Sequence, residues 1–101
     1  MKIIDMKIVV VGNPWKNWIF VKIFTDEGIE GLGECTGGLM TAPNEGSLKE
    51  LKSRIIGRDP TRVNELIDFV RKTLFLSRGG NALSGIEMAC WDIIGKTCGR
   101  P

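Results

Sequence analysis

The sequence predicts an α+β domain in which a three-stranded antiparallel meander is followed by three helices. Two patterns predict it. Stretches rich in β-branched residues, one of which alternates with a period of two, extend as far as Cys35, and from Leu48 onward the apolar residues recur every three or four positions. The chain has 101 residues, of which 43% are hydrophobic and 26% are charged. This size and composition are typical of one globular domain, so we treat residues 1–101 as a single unit.

The strands are predicted from β-branched residues and from turn residues between them. The first covers Lys2–Val11 and ends at a Gly-Asn-Pro loop. The second covers Trp18–Thr25 and the third Ile29–Cys35, with Gly28 supplying a positive φ in the hairpin turn between them. Alternation in the second strand places Ile19, Val21 and Ile23 on one face, and Trp18, Phe20, Lys22 and Phe24 on the other. Short connections favour pairing of consecutive strands, which gives the meander.

The first helix is predicted from an apolar stripe and from residues typical of helix ends. It starts between Thr41 and Ser47, where Ser47 and Glu50 have the spacing of a capping box. Gly57 is a suitable C-terminal stop. The apolar stripe consists of Leu48, Leu51 and Ile55.

The second helix is predicted to start at Pro60, with Asp59 as its N-cap, and to be broken at Ser77–Asn81. Its apolar stripe consists of Val63, Leu66, Ile67, Val70 and Leu74. The third helix covers Ala82–Thr97, and its apolar residues go nearly all the way round: Leu83, Ile86, Met88, Ala89, Cys90, Trp91, Ile93 and Ile94. A helix that is apolar on all sides is buried on all sides, so we expect another layer of protein to cover this one.

Composition excludes several functions. The net charge is only +2 and the basic residues are scattered, so we expect no binding to nucleic acid. The longest aliphatic run near the start is too short to cross a membrane and no signal peptide is evident, so we expect a cytoplasmic protein. The chain has no histidine, and its three cysteines, Cys35, Cys90 and Cys98, form no CxxC pair. We expect the cysteines to be small buried hydrophobes.

Three glycines, Gly31, Gly33 and Gly37, approach the spacing of a dinucleotide-binding loop. Such a loop needs its glycines at the turn from a parallel strand into a helix, whereas Gly31 and Gly33 lie within the predicted third strand. Glycine inside a strand more often marks close packing of another backbone or side chain against the sheet. The sequence therefore favours a packing role.

Several stretches together resemble a known family. They are "TDEGIEGLGE" in the hairpin, "IIGRDP" between the first two helices, "RGG" before the third helix and "ALSGIEMACWDIIGKTCGRP" at the end. They resemble the N-terminal capping domain of the mandelate racemase and muconate lactonizing group of the enolase superfamily, over essentially the whole chain. The first half is most similar to the acid-sugar dehydratases. The matching positions of the closing motif are Ser84, Gly85, Glu87, Ala89, Trp91, Asp92, Gly95 and Lys96.

The resemblance implies that this domain packs over a catalytic β/α barrel, which supplies the chemistry. Three barrel carboxylates would hold Mg²⁺, and a barrel Lys or His would remove the proton next to the carboxylate of a sugar acid or similar substrate. We therefore assign no catalytic residue and no metal ligand to this chain, since Glu30 and Glu34 alone make a poor Mg²⁺ site. Dehydration, racemisation and cycloisomerisation all remain open. We also expect a homo-oligomer.

The resemblance further implies that two loops, Gly12–Trp18 and Thr36–Pro43, close over the barrel mouth and shape the substrate pocket. The candidate capping residues are Trp15, Lys16, Trp18, Thr36, Leu39 and Met40. The two tryptophans could instead be core aromatics, and the lysine a solvated charge.

For the closing motif we favour structural roles. Trp91 would pack against the barrel, and Asp92 would pair with Lys96 one helical turn later. Two other functions stay as alternatives. One is a free-standing α+β interaction module, and the other is a nucleotide-binding fragment.

We expect the chain to bind neither NAD nor ATP, because its strand glycines face no helix N-terminus. Isothermal titration calorimetry with each nucleotide should give only heats of dilution. Saturable binding in the micromolar range would contradict this interpretation of the glycines.

Overall fold

The computed structural model describes residues 1–12, 17–35, 41–73 and 80–99. Three strands, β1 (Ile3–Gly12), β2 (Asn17–Thr25) and β3 (Glu30–Glu34), form one antiparallel sheet in the order β1-β2-β3. Three helices follow: α1 (Thr41–Ile55), α2 (Val63–Thr73) and α3 (Gly80–Thr97). The predicted α+β meander with three helices is confirmed. Within these described ranges, no helix combines the length and the hydropathy needed to cross a bilayer.

The helices pack on one face of the sheet, and the core lies between the two layers. Ile19, Val21 and Ile23 of β2 point into this core and are fully buried, as predicted from the alternation. The turn between β2 and β3 has Gly28 at φ +77°, also as predicted. The Thr25 hydroxyl stabilises this turn by donating a hydrogen bond to the Ile29 carbonyl at 2.8 Å.

Helix α1 buries Leu48, Leu51 and Ile55 completely and is followed by Gly57 at φ +91°. The stripe and the stop are confirmed, but the predicted capping box is wrong. α1 already begins at Thr41, so Ser47 lies inside the helix. Pro43 falls in the first turn, where backbone nitrogens have no intrahelical acceptor, and the helix therefore includes it without losing a hydrogen bond.

Helix α2 begins at Val63, so the prediction of Pro60 as its first residue is wrong. The Asp59 carboxylate accepts hydrogen bonds from the Thr61 backbone at 2.9 Å and from the Thr61 hydroxyl at 2.6 Å. These bonds hold a local turn ahead of the helix in place of an N-cap. The predicted stripe is confirmed at Val63, Leu66, Ile67 and Val70, which are buried, while Leu74 lies outside the described residues.

Helix α3 begins at Gly80, two residues before the predicted start, and Gly80 and Asn81 are helical although a break was predicted there. Gly and Asn are tolerated at a helix N-terminus, because the first residues of a helix form few intrahelical hydrogen bonds. One side of α3 is fully buried, at Ile86, Ala89, Cys90 and Ile93. The other side leaves Met88 and Trp91 about half exposed, so nothing in the described part of the chain covers it.

The glycines of β3 let α3 lie directly against the sheet. A Cβ on Gly33 would collide with the backbone carbonyl of Gly85, and one on Gly31 would collide with the carbonyl of Ala89. In turn, a Cβ on Gly85 would lie 2.9 Å from the Cβ of Cys35. The predicted packing role of the strand glycines is confirmed, whereas Gly37 lies outside the described residues.

The cysteines divide into two groups. Cys35 and Cys90 are buried, as predicted, and burial raises the pKa of their thiols to about 11 and about 12. Cys98 is exposed, so the prediction that all three are buried is wrong. Cys98 follows the last residue of α3, beyond the part of the helix that packs on the sheet.

We expect Gly33→Ala to lower the free energy of unfolding by about 1–3 kcal/mol, because the new methyl group overpacks the contact with Gly85. Urea unfolding followed by circular dichroism measures this. Gly46→Ala is the matched control. Gly46 lies inside α1 with nothing within 4 Å of an added Cβ, so the same change there should stabilise by about 0.5–1 kcal/mol. Equal effects at both positions would contradict the close-contact argument.

Candidate functional site

The two predicted capping loops leave the same end of the sheet. β1 ends at Gly12, which pairs with Asn17 at the start of β2. β3 ends at Glu34, which pairs with Phe20 near the same end of β2. The antiparallel register therefore brings the described ends of both connections together, although they are separated in the sequence.

Most of the predicted capping residues lie in those connections. Trp15, Lys16, Thr36, Leu39 and Met40 are outside the described residues, so their role stays a prediction.

Trp18 is the one predicted capping residue that the structure describes. It pairs with Val11 across the β1–β2 ladder and is partly buried. Its neighbour Ile19 points into the core, so Trp18 points to the opposite face of the sheet, away from the helices. Trp18 is therefore not part of the core between sheet and helices. Its place at the end of the sheet from which both loops leave is compatible with the capping role.

The outer face of the sheet carries further apolar side chains. Val9 and Val11 of β1 and Leu32 of β3 are 47%, 50% and 52% exposed. The register places them on the same face as Phe20 and Trp18. No described helix packs on this face.

Two side chains of α3 bind the backbone of edge strand β3, and we call them the α3 clamp. The Asp92 carboxylate accepts a hydrogen bond from the Leu32 N–H at 2.9 Å. The Lys96 ammonium donates to the Glu30 carbonyl at 2.7 Å and lies 3.2 Å from the Asp92 carboxylate. The predicted Asp92–Lys96 pair is confirmed, and the clamp gives partners to backbone groups that an edge strand otherwise leaves free.

The electrostatics of the clamp follow from these contacts. The Leu32 N–H lowers the pKa of Asp92 below its usual value, with a smaller lowering from Lys96. Sequence reasoning missed the contacts to β3. The sequence did contain a hint of these contacts. Gly31 and Gly33 allow a helix to lie close to the strand, and Asp92 and Lys96, one helical turn apart, can then reach the strand backbone.

The described carboxylates do not form a metal site. Glu30 pairs with Lys22 at 3.2 Å, and the Lys22 ammonium also lies 5.6 Å from the centre of the Phe24 ring. Within the part of the chain that the structure describes, no group of three or more His, Cys, Asp or Glu residues could hold a cation. These residues do not fit Mg²⁺, and the assignment of its ligands to a barrel stays a prediction.

An open groove of about 560 Å³ lies between the start of α2 and the outer side of α3. Val63 and Thr61 line one wall, and Trp91 and Ile94 of α3 line the other. Arg62 and Glu65 also line it; their side chains lie 3.7 Å apart, and both are mostly exposed. The groove is a concave surface with an apolar wall that the core does not fill.

This arrangement, a three-stranded meander with three helices on one face, defines a class of α+β capping domains. The family described as "Mandelate racemase / muconate lactonizing enzyme, N-terminal domain" matches residues 4–101. The chain belongs to this family, as its resemblance predicted.

Comparison with individual proteins gives the same family. A D-galactonate dehydratase family member from Oceanicola granulosus is 39% identical over 105 aligned positions, covering 100% of this chain and 26% of the relative. A D-galactonate dehydratase from Xanthomonas euvesicatoria is 41% identical over 88 positions, covering 83% of this chain and 23% of the relative. An enolase from Pantoea ananatis, solved with bound D-gluconate and Mg, superposes with a TM-score of 0.88 at 32% identity. That match covers 95% of this chain and 24% of the other. The chain thus spans about a quarter of the length of these relatives.

We expect Asp92→Ala to lower the free energy of unfolding by about 1 kcal/mol, because the Leu32 N–H and Lys96 both lose a charged partner. Asp68→Ala is the control. Asp68 forms an ion pair of the same i,i+4 spacing with Lys72 at 3.6 Å, exposed on α2, so its loss should cost no more than about 0.5 kcal/mol.

The pH dependence gives a second measurement of the clamp. Because the folded-state pKa of Asp92 lies below the unfolded value, its contribution is present above about pH 4 and is lost as the pH falls through the folded pKa. Asp92→Asn should therefore flatten the fall in stability on acidification. Identical acid profiles for the variant and the unchanged protein would contradict the clamp.

Proposed function

We propose that residues 1–101 form the capping domain of a Mg²⁺-dependent enzyme of the enolase superfamily that dehydrates a sugar acid. The observation that carries this proposal is the match over the whole chain to a D-galactonate dehydratase family member. The fold shared with an enolase that holds D-gluconate and Mg supports the same substrate class. An isomerase of the mandelate racemase or muconate lactonizing type is the runner-up, because the family description includes both.

In this proposal the chain works with a catalytic barrel in the same polypeptide. The barrel supplies the metal ligands and the base, since the described residues of this domain offer neither a metal cluster nor a histidine. The domain alone is inert. The whole protein is cytoplasmic and forms a homo-oligomer. The exposed apolar residues on the outer side of α3 are suited to a second layer of protein, which the barrel supplies in this proposal, whereas a free-standing interaction module would need a separate partner there.

The contribution of this chain is to enclose and select the substrate. The connections that follow β1 and β3 start at one end of the sheet, so both can face one substrate. Trp15 would exclude water from the pocket, and the Lys16 ammonium would bind the carboxylate or the distal hydroxyls of a sugar acid. Trp18, Thr36, Leu39 and Met40 would shape the rest of the pocket wall.

We expect Trp15→Ala and Lys16→Ala, each made in the protein that joins this domain to its barrel, to lower kcat/KM for the best sugar acid about tenfold. This factor corresponds to the loss of about 1.4 kcal/mol of transition-state binding. The preference among sugar acids should also change. Steady-state kinetics on a panel of aldonates and aldarates measures both effects.

Lys72→Ala is the control for the charge, because Lys72 is an exposed cation on α2 and belongs to neither predicted loop. It should leave kcat/KM unchanged. The affinity for Mg²⁺ should be the same in all variants, since the proposal assigns the metal ligands to the barrel. If kcat/KM is unchanged for every substrate in both loop variants, the loop is only surface and the capping assignment fails.

A further inference from the structure

Cys35 is the last described residue before the second predicted capping loop, and it is 2% exposed. Its N–H donates a hydrogen bond to the Ile19 carbonyl at 2.9 Å. Its thiol donates to the same oxygen at 3.9 Å, and burial raises the pKa of this thiol to about 11, so the proton stays in place at neutral pH. Ile19 directly follows Trp18, the last residue of the first predicted loop. Cys35 therefore joins the beginning of one loop to the end of the other.

Gly85 of α3 contacts Cys35 from the helical side. Gly85 is buried, and a Cβ built on it would lie 2.9 Å from the Cβ of Cys35, which is closer than two such atoms can pack. Glycine inside a helix is less favourable than alanine, so lack of space explains a glycine at this position and helix formation does not. We call Ile19, Cys35 and Gly85 the loop junction.

The loop junction is one end of a longer contact between α3 and β3. At the other end, Ile93 lies against Gly31, close to the hairpin turn. Ile93 is eight residues after Gly85, which is about 12 Å along the helix axis. Cys35 is four residues after Gly31, which is about 13 Å along the strand. Because these two lengths match, α3 holds β3 from the hairpin as far as the beginning of the second loop.

We propose that Gly85 and Cys35 are positioning residues that determine the substrate preference of the longer protein, because their contact fixes the end of the sheet from which both capping loops leave. The inference rests on the proposed function, in which those loops select the substrate. Both residues are buried, so they act through the loop ends and do not touch the substrate. Trp18, the capping residue that the structure describes, is one peptide unit from the Ile19 carbonyl that Cys35 binds.

A methyl group added at Gly85 disturbs this contact specifically. It meets a Cβ, which is attached directly to the backbone and cannot rotate away, so Cys35 must shift together with its backbone. The shift weakens the bond to Ile19 and moves the ends of both loops. A misplacement of about 1 Å can cost an enzyme about 100-fold in rate. Ile93→Val is the matched control, because it removes one buried methyl group at the hairpin end and leaves the loop junction intact.

The first measurement needs no substrate and uses hydrogen exchange of backbone amides, followed by NMR in the 101-residue chain. Gly85→Ala should raise the exchange rate of the Cys35 amide about tenfold relative to that of the buried Val21 in the central strand, because local opening adds to global unfolding. Ile93→Val acts through global stability alone, so it should leave the ratio of the two rates unchanged. Equal effects of the two variants on this ratio would show that the loop junction does not exist.

The second measurement uses the longer polypeptide and compares kcat/KM between two sugar acids that the unchanged protein accepts. A loss of folded protein cancels in this selectivity ratio, so a merely structural role would not change it. Gly85→Ala should change the selectivity ratio about threefold or more, and Ile93→Val should leave it unchanged. In a Cys35→Gly background, Gly85→Ala should no longer change exchange or selectivity, because no Cβ remains for the new methyl group to meet.

The proposal is wrong if Gly85→Ala leaves the selectivity ratio unchanged, or if its effect persists in the Cys35→Gly background. Should Gly85→Ala fail to fold, Cys35→Ala, which removes the thiol and its bond to Ile19, gives the same comparison with Ile93→Val. If the longer polypeptide accepts no sugar acid, the dehydratase assignment fails, and the selectivity ratio is measured with two carboxylate substrates of the runner-up isomerases. The exchange measurement is independent of the substrate, so failure of the assignment and failure of the loop junction are distinguishable.

Discussion

The close approach of α3 to β3 is the constraint on which the rest of this structure depends. Gly31 and Gly33 remove the side chains that would separate the strand from the helix, and Gly85 does the same on the helical side. At this distance the side chains of α3 can reach the strand backbone, and the clamp of Asp92 and Lys96 follows. Packing thus explains Gly31 and Gly33, two of the three glycines whose spacing resembles a nucleotide-binding loop.

This constraint divides α3 into two functional sides. The inner side, with Ala89 and Ile93, completes the core with β2 and β3. The outer side carries the groove around Trp91, which nothing in the described part of the chain covers. The proposed function uses both sides, because α3 holds its own sheet on one side and leaves the other side to a second layer of protein.

The periodicity of the sequence was enough to predict the order of elements and most of the core. The periodicity did not fix where the helices begin, because the residues there are compatible with more than one local structure. Ser47 and Glu50 have capping-box spacing, but packing of Leu48 and Leu51 is satisfied equally by a helix that starts at Thr41. Asp59 can cap a helix or close a turn with Thr61, and only the structure shows the turn. Five of the six proposed capping residues lie outside the described ranges, so the loops rest on the family resemblance.

By itself, the sequence determined the α+β class, the buried face of β2 and the apolar stripes of α1 and α2, because these depend on spacing along the chain. Its motifs carried the family resemblance. The tertiary structure decided which surfaces meet. The Leu32–Asp92 bond joins residues 60 positions apart and the Glu30–Lys96 bond joins residues 66 apart, and no local pattern encodes such a distance. It also decided that Trp91 lies in an open groove and not in the core. Burial of an apolar helix depends on what packs against each side, and that is a property of the folded chain and its partner.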